Sequence, residues 1–172
     1  ERVREQLEGD LTLVFGIGRQ KERDLKRRGY RTIADLLQHR RFREQAGNCL
    51  NVLREGSAAE VLSLVSRWHP VSHPRCLCTA GLYRAEEFLF LDLETLGIYQ
   101  RPVILSGLAF MEGGDLVTCQ YLVRNMEEEL PALLATRNHL AAGKVLVTYN
   151  GRSFDVPYLV ERYAMYGEDC RV

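Results

Sequence analysis

The chain has 172 residues, of which 46% are hydrophobic and 27% are charged, and its 23 basic residues balance its 23 acidic residues. This composition excludes a disordered or collagen-like chain, and no stretch approaches the roughly 18 apolar residues that a membrane-spanning helix requires. Five cysteines at ordinary frequency indicate reduced thiols, and no apolar signal-peptide core follows the basic start, so we expect a soluble cytoplasmic protein. Because the sequence begins with Glu1 rather than Met, we also expect a fragment of a longer gene product.

The neutral total charge hides a strongly basic segment near the N-terminus. Residues 19 to 44 carry ten basic and four acidic side chains, which gives a local charge of +6. Charge separated in this way favours an element that faces a polyanion. A solvated helix that happens to be basic fits the charge equally well.

The N-terminal part is predicted to be a helical domain over residues 1–68. Apolar residues recur at three- and four-residue intervals from Leu11 to Trp68, the spacing of one helix face. Two prolines then interrupt the pattern, which predicts a linker over 69–84. A second domain is predicted over 85–172.

A Gly-Ile-Gly hairpin lies within residues 14–29 of the helical domain. Gly16 and Gly18 allow a tight turn that leaves backbone N–H groups open at the positive end of the following helix, an arrangement that binds phosphate. Arg19 and Lys21 add positive charge at that point. With the residues that follow, the run looks like a helix-hairpin-helix module, which implies contact with the DNA or RNA backbone without sequence readout. The alternative is an ordinary turn between two helices.

The second domain reads β-β-β-α-β-α, which predicts an α/β fold with a mixed sheet flanked by helices. A Gly113-Gly114 turn joins the second and third strands, and acidic residues at 127–129 open the first helix. The last helix runs from the Asn150-Gly151 turn to about Tyr166. The first and last strands are apolar runs that we expect to be buried. The predicted strands cover 88–93, 103–110, 116–124 and 144–149, and the first helix ends at 140.

Three carboxylates lie at the ends of these elements. Asp92 and Glu94 are two residues apart on a strand and therefore share a face, where two acids beside an apolar core repel each other unless a cation joins them. Asp155 falls in the first turn of the last helix and can face the other two if the first and last strands are neighbours. Oxygen ligands that leave open positions suit Mg²⁺ or Mn²⁺. The alternative is that Asp92 opens a loop, that Glu94 caps a nearby element and that Asp155 is an ordinary helix-start acid.

Both carboxylate motifs resemble those of a known enzyme family. The run Phe90-Leu91-Asp92-Leu93-Glu94-Thr95-Leu96-Gly97 is similar to the first motif of DEDD-type (DnaQ-like) 3′–5′ exonucleases with the ribonuclease-H-like fold. The run Tyr149-Asn150-Gly151-Arg152-Ser153-Phe154-Asp155 is similar to their second motif. Together with an N-terminal helix-hairpin-helix, the chain looks most like the predicted exonucleases of the YprB type.

This resemblance implies a two-metal phosphodiesterase that removes nucleotides from a 3′ end of DNA or RNA. Two Mg²⁺ or Mn²⁺ ions would be held by Asp92, Glu94 and Asp155, which would be the catalytic carboxylates. The terminal nucleotide would contact four further residues: Thr95, Leu96, Asn150 and Phe154.

The sequence departs from the family pattern at two points. The usual Thr-Thr-Gly after the first motif is Thr-Leu-Gly here. The third motif, a fourth carboxylate preceded by Tyr four positions or His five positions earlier, does not occur, since Met165 stands four positions before Asp169. We therefore expect the fourth ligand to lie beyond Val172 and residues 1–172 alone to be nearly inactive. The alternatives are a nucleic-acid-binding protein without catalysis and, less favoured, a structural domain of a repair or RNA-processing complex.

Two further groups of residues have weaker interpretations. A structural zinc site usually uses separated pairs of ligands, so zinc is the less favoured interpretation of the closely spaced residues near the predicted linker. Those residues are His69, His73, Cys76 and Cys78. Trp68 and Tyr83 are interpreted as packing at the domain junction rather than as a base-stacking platform.

Overall fold

The computed structural model describes residues 2–140 and 144–170. It consists of two compact units, unit 1 (Glu1–Tyr83) and unit 2 (Arg84–Val172). Within the described ranges, no helix has the length and apolarity needed to cross a bilayer. All five cysteines are free thiols.

Most of the segment predicted as a linker over 69–84 is folded into unit 1. Pro74 is the first residue of a short helix, and Cys76 on that helix is buried in the core of unit 1. Proline fits the first turn of a helix because the N–H group that it lacks would have no partner there. The second proline of the predicted linker therefore starts a helix instead of separating two domains.

Unit 1 is built from short helices around a leucine-rich core. Leu7, Leu11, Ile33 and Leu53 are fully buried in this core. The fourth helix begins at a capping box, in which Ser57 and Glu60 satisfy each other's backbone N–H groups. The α-helices of the described part are α1 (Arg2–Glu8), α2 (Arg19–Arg27), α3 (Arg43–Glu55), α4 (Ala58–Ser66) and α5 (Pro74–Cys78), with 3₁₀ turns at Leu11–Leu13, Asp35–Gln38 and Thr79–Leu82.

Unit 2 is a four-stranded mixed sheet with helices, in the predicted order β-β-β-α-β-α. The strands lie in the order β3-β2-β1-β4; β1 pairs antiparallel with β2 and parallel with β4, and β2 pairs antiparallel with β3. The predicted α/β fold class is confirmed. The elements are β1 (Phe88–Thr95), β2 (Val103–Glu112), β3 (Asp115–Leu122), α6 (Glu129–Arg137), β4 (Val145–Val147) and α7 (Asp155–Met165), with 3₁₀ turns at Ala85–Glu87 and Met126–Glu128.

The β2–β3 hairpin turns at the predicted glycine pair. Gly113 and Gly114 have φ angles of 61° and 93°, and only glycine adopts two successive positive φ angles without strain. This is the backbone of a two-residue turn whose twist matches that of the flanking strands.

Burial in the sheet differs from the expectation of fully buried strands. Along β1 the leucines at 89, 91 and 93 are buried, whereas Phe90, Asp92 and Glu94 are exposed. The buried face packs with Leu133 of α6 and Leu159 of α7. β4 is only three residues long and half-buried. The first strand therefore presents one face to the core and the carboxylates on the other, as the period of two requires.

Candidate active site

A tight turn between β4 and α7 sets the position of Asp155. The backbone N–H of Gly151 donates to the Thr148 hydroxyl at 2.6 Å, and the Asn150 carbonyl accepts from two later N–H groups at 3.0 Å. A Cβ on Gly151 would lie 1.9 Å from Thr148 Oγ1 and 2.7 Å from its Cβ, so glycine is required by this close approach. The chain leaves the turn directly into α7, whose first residue is Asp155.

The Asp155 carboxyl group is buried beside Asp92. Asp155 is only 5% exposed. Burial raises the pKa of Asp155, and the negative charge of Asp92 raises it further; hydrogen bonds from the Asp155 and Leu93 backbone N–H groups oppose these effects in part. The two acids meet because β1 and β4 are parallel neighbours, with Phe90 paired to Val147.

Glu94 lies on the same exposed face of β1 as Asp92, two residues further along the strand. A register irregularity separates it from Thr95. Among residues 2–140 and 144–170, no group of three or more His, Cys, Asp and Glu side chains is arranged to hold a metal ion. The structure thus brings Asp155 to Asp92, while Glu94, on the exposed face of β1, does not complete a three-ligand cluster with them.

The four residues predicted to contact the substrate lie near these carboxylates in the sequence, but they are not equally exposed to a ligand. The Thr95 hydroxyl donates to the Gly97 carbonyl at 2.8 Å and so stabilises the loop that follows β1. Leu96 and Asn150 are exposed. Phe154 is half-buried, with its ring 5.1 Å from that of Tyr158.

Tyr158 is a positioning residue that the sequence analysis missed. It is buried on α7, three residues after Asp155. Its hydroxyl lies 2.7 Å from the Arg101 carbonyl and 3.0 Å from the Gly97 carbonyl, and it accepts from the Arg101 N–H at 3.1 Å. These contacts attach the loop after β1 to α7. The loop presents the exposed apolar side chains of Ile98 and Tyr99.

A buried ion pair fixes α7 against α6, and it too was missed. Glu129 is 0% exposed and Arg162 is 4% exposed. The Arg162 guanidinium donates to both carboxylate oxygens of Glu129, which also accept from the Tyr166 hydroxyl at 2.7 Å and the Val103 N–H at 2.9 Å. Burial acts to raise the pKa of Glu129, but the hydrogen bonds from Arg162 and Tyr166 outweigh it and lower that pKa.

The predicted position of Glu129 at the start of a helix is confirmed, and its carboxylate has a second role that was not predicted. Glu129 is the first residue of α6, but its carboxylate points to partners on α7 and β2 rather than to solvent. Arg162 is seven residues after Asp155, two turns along the same helix. The ion pair therefore holds the helix that carries the buried aspartate.

Comparison with known protein families agrees with this architecture. Residues 89–171 match the family model of the RNase H superfamily. Unit 2 has a ribonuclease-H-like fold. The match covers just under half of the chain and includes the strand and helix that carry the three carboxylates. No curated protein and no solved structure matches the chain. The matched fold is nuclease-like.

The Gly-Ile-Gly hairpin of unit 1 has the predicted local geometry. Gly16 has a φ angle of 85°, a conformation that favours glycine, whereas Gly18 has a φ of −92° and caps α2. Ile17 is buried in the core of unit 1. The Lys21 ammonium donates to the Gly16 carbonyl at 2.8 Å. In the part of the chain that the structure describes, no side chain caps the first turn of α2 at Gly18, which leaves the first N–H groups of this helix open to a ligand.

The basic segment is a surface of unit 1. Every one of the ten basic side chains between residues 19 and 44 is exposed. Arg19 lies at the first position of α2, immediately after the hairpin. Lys26 and Arg27 form ion pairs with acids one helical turn earlier, Glu22 and Asp24. Such exposed pairs contribute little to stability, and six of the ten positive charges are not balanced by acids of the same segment.

The residues considered for zinc have other partners. His69 contacts the buried Asp10 carboxylate at 3.3 Å and stacks on His73 with 4.3 Å between ring centroids. Asp10 is also bound by Arg75 at 2.6 Å. Cys76 is buried in the core, and the Cys78 thiol donates to the Arg75 carbonyl at 3.0 Å.

Proposed function

We propose that the protein is a metal-dependent 3′–5′ exonuclease that hydrolyses phosphodiester bonds of DNA or RNA. The observation that carries the proposal is the burial of Asp155 beside Asp92 at the junction of β1 and α7. Two carboxylates in contact are unfavourable when both are charged, and a divalent cation removes that repulsion. The ribonuclease-H-like fold of unit 2 supports a nuclease rather than another metal-dependent enzyme.

The donor set fits Mg²⁺ or Mn²⁺. Asp92, Glu94 and Asp155 offer only carboxylate oxygens, which these ions prefer. When bound, two such ions lower the pKa of the attacking water and stabilise the leaving 3′ oxygen. The protein's own part is to hold Asp155 rigidly through the Gly151 turn and to present Asp92 and Glu94 on the open face of β1.

The 3′–5′ polarity follows from the resemblance of both carboxylate motifs to DEDD-type exonucleases. The loop after β1 is the surface on which the terminal nucleotide would lie. Its exposed side chains Leu96, Ile98 and Tyr99 offer apolar and aromatic contacts, and Tyr158 holds the loop in place. Asn150 and Phe154 would border the same nucleotide from the β4–α7 turn.

The hairpin of unit 1 would hold the nucleic-acid backbone as a helix-hairpin-helix module. Its support is the open first turn of α2 after Gly16 and Gly18, together with the positive charges of Arg19 and Lys21. Open N–H groups at a helix start bind phosphate, and such contacts read no sequence.

The experiment is an assay of the full-length gene product on oligonucleotides labelled at either the 3′ or the 5′ end, with Mn²⁺ or with EDTA. We expect early release of the 3′ label only, dependent on the metal. Asp92→Asn and Asp155→Asn should slow release by more than about 100-fold, because even residues that merely support metal ligands cost 10–100-fold. Asp115→Asn, which changes an exposed aspartate of the same unit, is the matched control. Equal rates for Asp92→Asn, Asp155→Asn and the parent would refute the assignment.

A second candidate is a nucleic-acid-binding protein with a degenerate nuclease fold. The absence of a three-ligand metal group among the described residues favours it. In the same assay this protein would bind both labelled strands in a salt-dependent manner and release neither label with Mn²⁺.

A further inference from the structure

A second candidate site lies in unit 1, beside an exposed aromatic pair. Phe15 is 72% exposed and Trp68 is 44% exposed, and their ring centroids are 6.1 Å apart with the planes tilted by 49°. Both rings line a cavity of about 430 Å³, here called the aromatic pocket. Large apolar rings at the surface are the usual sign of a binding site rather than of core packing.

The aromatic pocket adjoins the phosphate-binding hairpin. Phe15 directly precedes Gly16, and Trp68 also lines a separate cavity of about 420 Å³ formed by the hairpin and Arg19. A strand with one phosphate on the hairpin would therefore bring the base attached to it, or the next base, close to the Phe15 and Trp68 rings. The two cavities adjoin each other, because the same indole borders both.

Polar groups in the aromatic pocket match the edge of a base. The Oε1 atom of Gln45 is buried and accepts no hydrogen bond from any described residue, and the Gln45 side chain lines the pocket with Asn48 and Arg67. This buried acceptor is closed to a ligand, but the exposed Asn48 amide can donate to and accept from the edge of a base. Apolar walls, aromatic faces and a few hydrogen-bonding groups are the composition of a nucleobase site.

We propose that the aromatic pocket binds an unpaired nucleobase of the strand whose backbone is held by the Gly16–Gly18 hairpin. The inference rests on the proposed nucleic-acid contact of the hairpin and goes beyond it, since it assigns unit 1 a preference for single-stranded or frayed substrate. A base within a duplex is stacked on both faces and cannot reach the rings. Unit 1 would therefore select strands with unpaired nucleotides before unit 2 acts on them.

The test uses the single tryptophan of the chain as its probe. Single strands of about 12 nucleotides, within the site sizes of single-strand binders, are titrated as oligothymidine, oligouridine and a fully abasic strand with the same phosphates. We expect the strands with bases to quench Trp68 fluorescence and to bind at least about fivefold more tightly than the abasic strand, the lower limit for stacking one base on one ring. The abasic strand should bind without quenching.

Variants separate stacking from folding. Phe15→Ala keeps the tryptophan probe and should remove most of the difference between base-containing and abasic strands, as should Trp68→Ala when binding is followed by anisotropy of a labelled strand. Leu77→Ala removes another exposed apolar side chain of unit 1, outside the aromatic pocket, and should leave the affinity for both kinds of strand unchanged. Trp68→Phe keeps an aromatic face and should retain the difference.

The outcomes distinguish failure of this inference from failure of the hairpin contact. Equal affinity for base-containing and abasic strands, with unchanged Trp68 fluorescence in the complex, would overturn the aromatic pocket while leaving backbone binding in place. Absence of binding to every strand would overturn the hairpin contact and the inference that rests on it. Neither outcome depends on hydrolysis by unit 2, because the titration is done in EDTA.

Discussion

Replacing Glu129 by glutamine tests whether the buried ion pair holds α7, the helix that carries Asp155. The glutamine keeps the shape of the side chain and leaves Arg162, which is 4% exposed, without its counter-charge. Removing one partner of a buried pair costs about 3–5 kcal/mol. A unit of about 90 residues has a free energy of unfolding of roughly 4–13 kcal/mol. The substitution should therefore remove about a quarter or more of the stability of unit 2.

The assay is urea and thermal unfolding of the parent and the variant, with hydrogen exchange of α7 as the local readout. Each kcal/mol shifts the midpoint temperature of a domain of this size by about 4–8 °C, so the Glu129→Gln shift should exceed 10 °C. Glu168→Gln, which breaks the half-exposed pair with Arg137, is the control and should cost at most about 1 kcal/mol. Replacing Glu129 and Arg162 together by leucine should recover only part of the loss, because the Val103 N–H and the Tyr166 hydroxyl then lose their acceptor. A loss below about 1 kcal/mol for Glu129→Gln would refute the reasoning.

Three further predictions concern individual residues near the two sites. Burial and the charge of Asp92 raise the pKa of Asp155 in the folded state above its ordinary 3.8. The Asp155 carboxyl group therefore contributes its full stabilisation below pH 3.8, and this contribution is lost as the pH rises through the folded-state pKa. In EDTA at pH 7, Asp155→Asn should melt at a higher temperature than the parent, and a lower melting temperature would contradict this. Tyr158→Phe removes the hydroxyl contacts to the loop after β1 and should lower the free energy of unfolding of unit 2 by about 1 kcal/mol. The Arg101 N–H should exchange faster with solvent, and unchanged exchange would exclude the positioning role. Gly18→Ala meets no atom within 4 Å and has a φ that any residue adopts, so the melting temperature should stay constant while backbone binding weakens for all sequences alike; a loss confined to one sequence would indicate base readout.

Local patterns predicted the elements of unit 2 and the neighbourhood of its carboxylates. The Gly113-Gly114 turn and the period-two spacing of Asp92 and Glu94 depend on backbone geometry alone, so sequence was sufficient. Asp155 reached Asp92 because the chain returns from β3 through α6 and places β4 parallel to β1.

The sequence did not predict the side-chain contacts between residues that lie far apart in the chain. Glu129 and Arg162 are 33 residues apart, and a glutamate at a helix start gives no sign that its partner lies on another helix. Tyr158 bonds to a loop 57 residues earlier. The exposed face of β1 was not predicted either, because a run of apolar residues looks the same in the sequence whether one or both faces of the strand are buried.

The central claim is that Asp92, Glu94 and Asp155 together bind a divalent cation. The most direct measurement is a Mn²⁺ titration of the full-length gene product, with free Mn²⁺ followed by electron paramagnetic resonance. We predict that Asp155→Asn and Asp92→Asn each weaken Mn²⁺ binding by at least about tenfold, while the exposed Asp115→Asn leaves it unchanged. Mn²⁺ affinity that is the same in all four proteins would contradict the account.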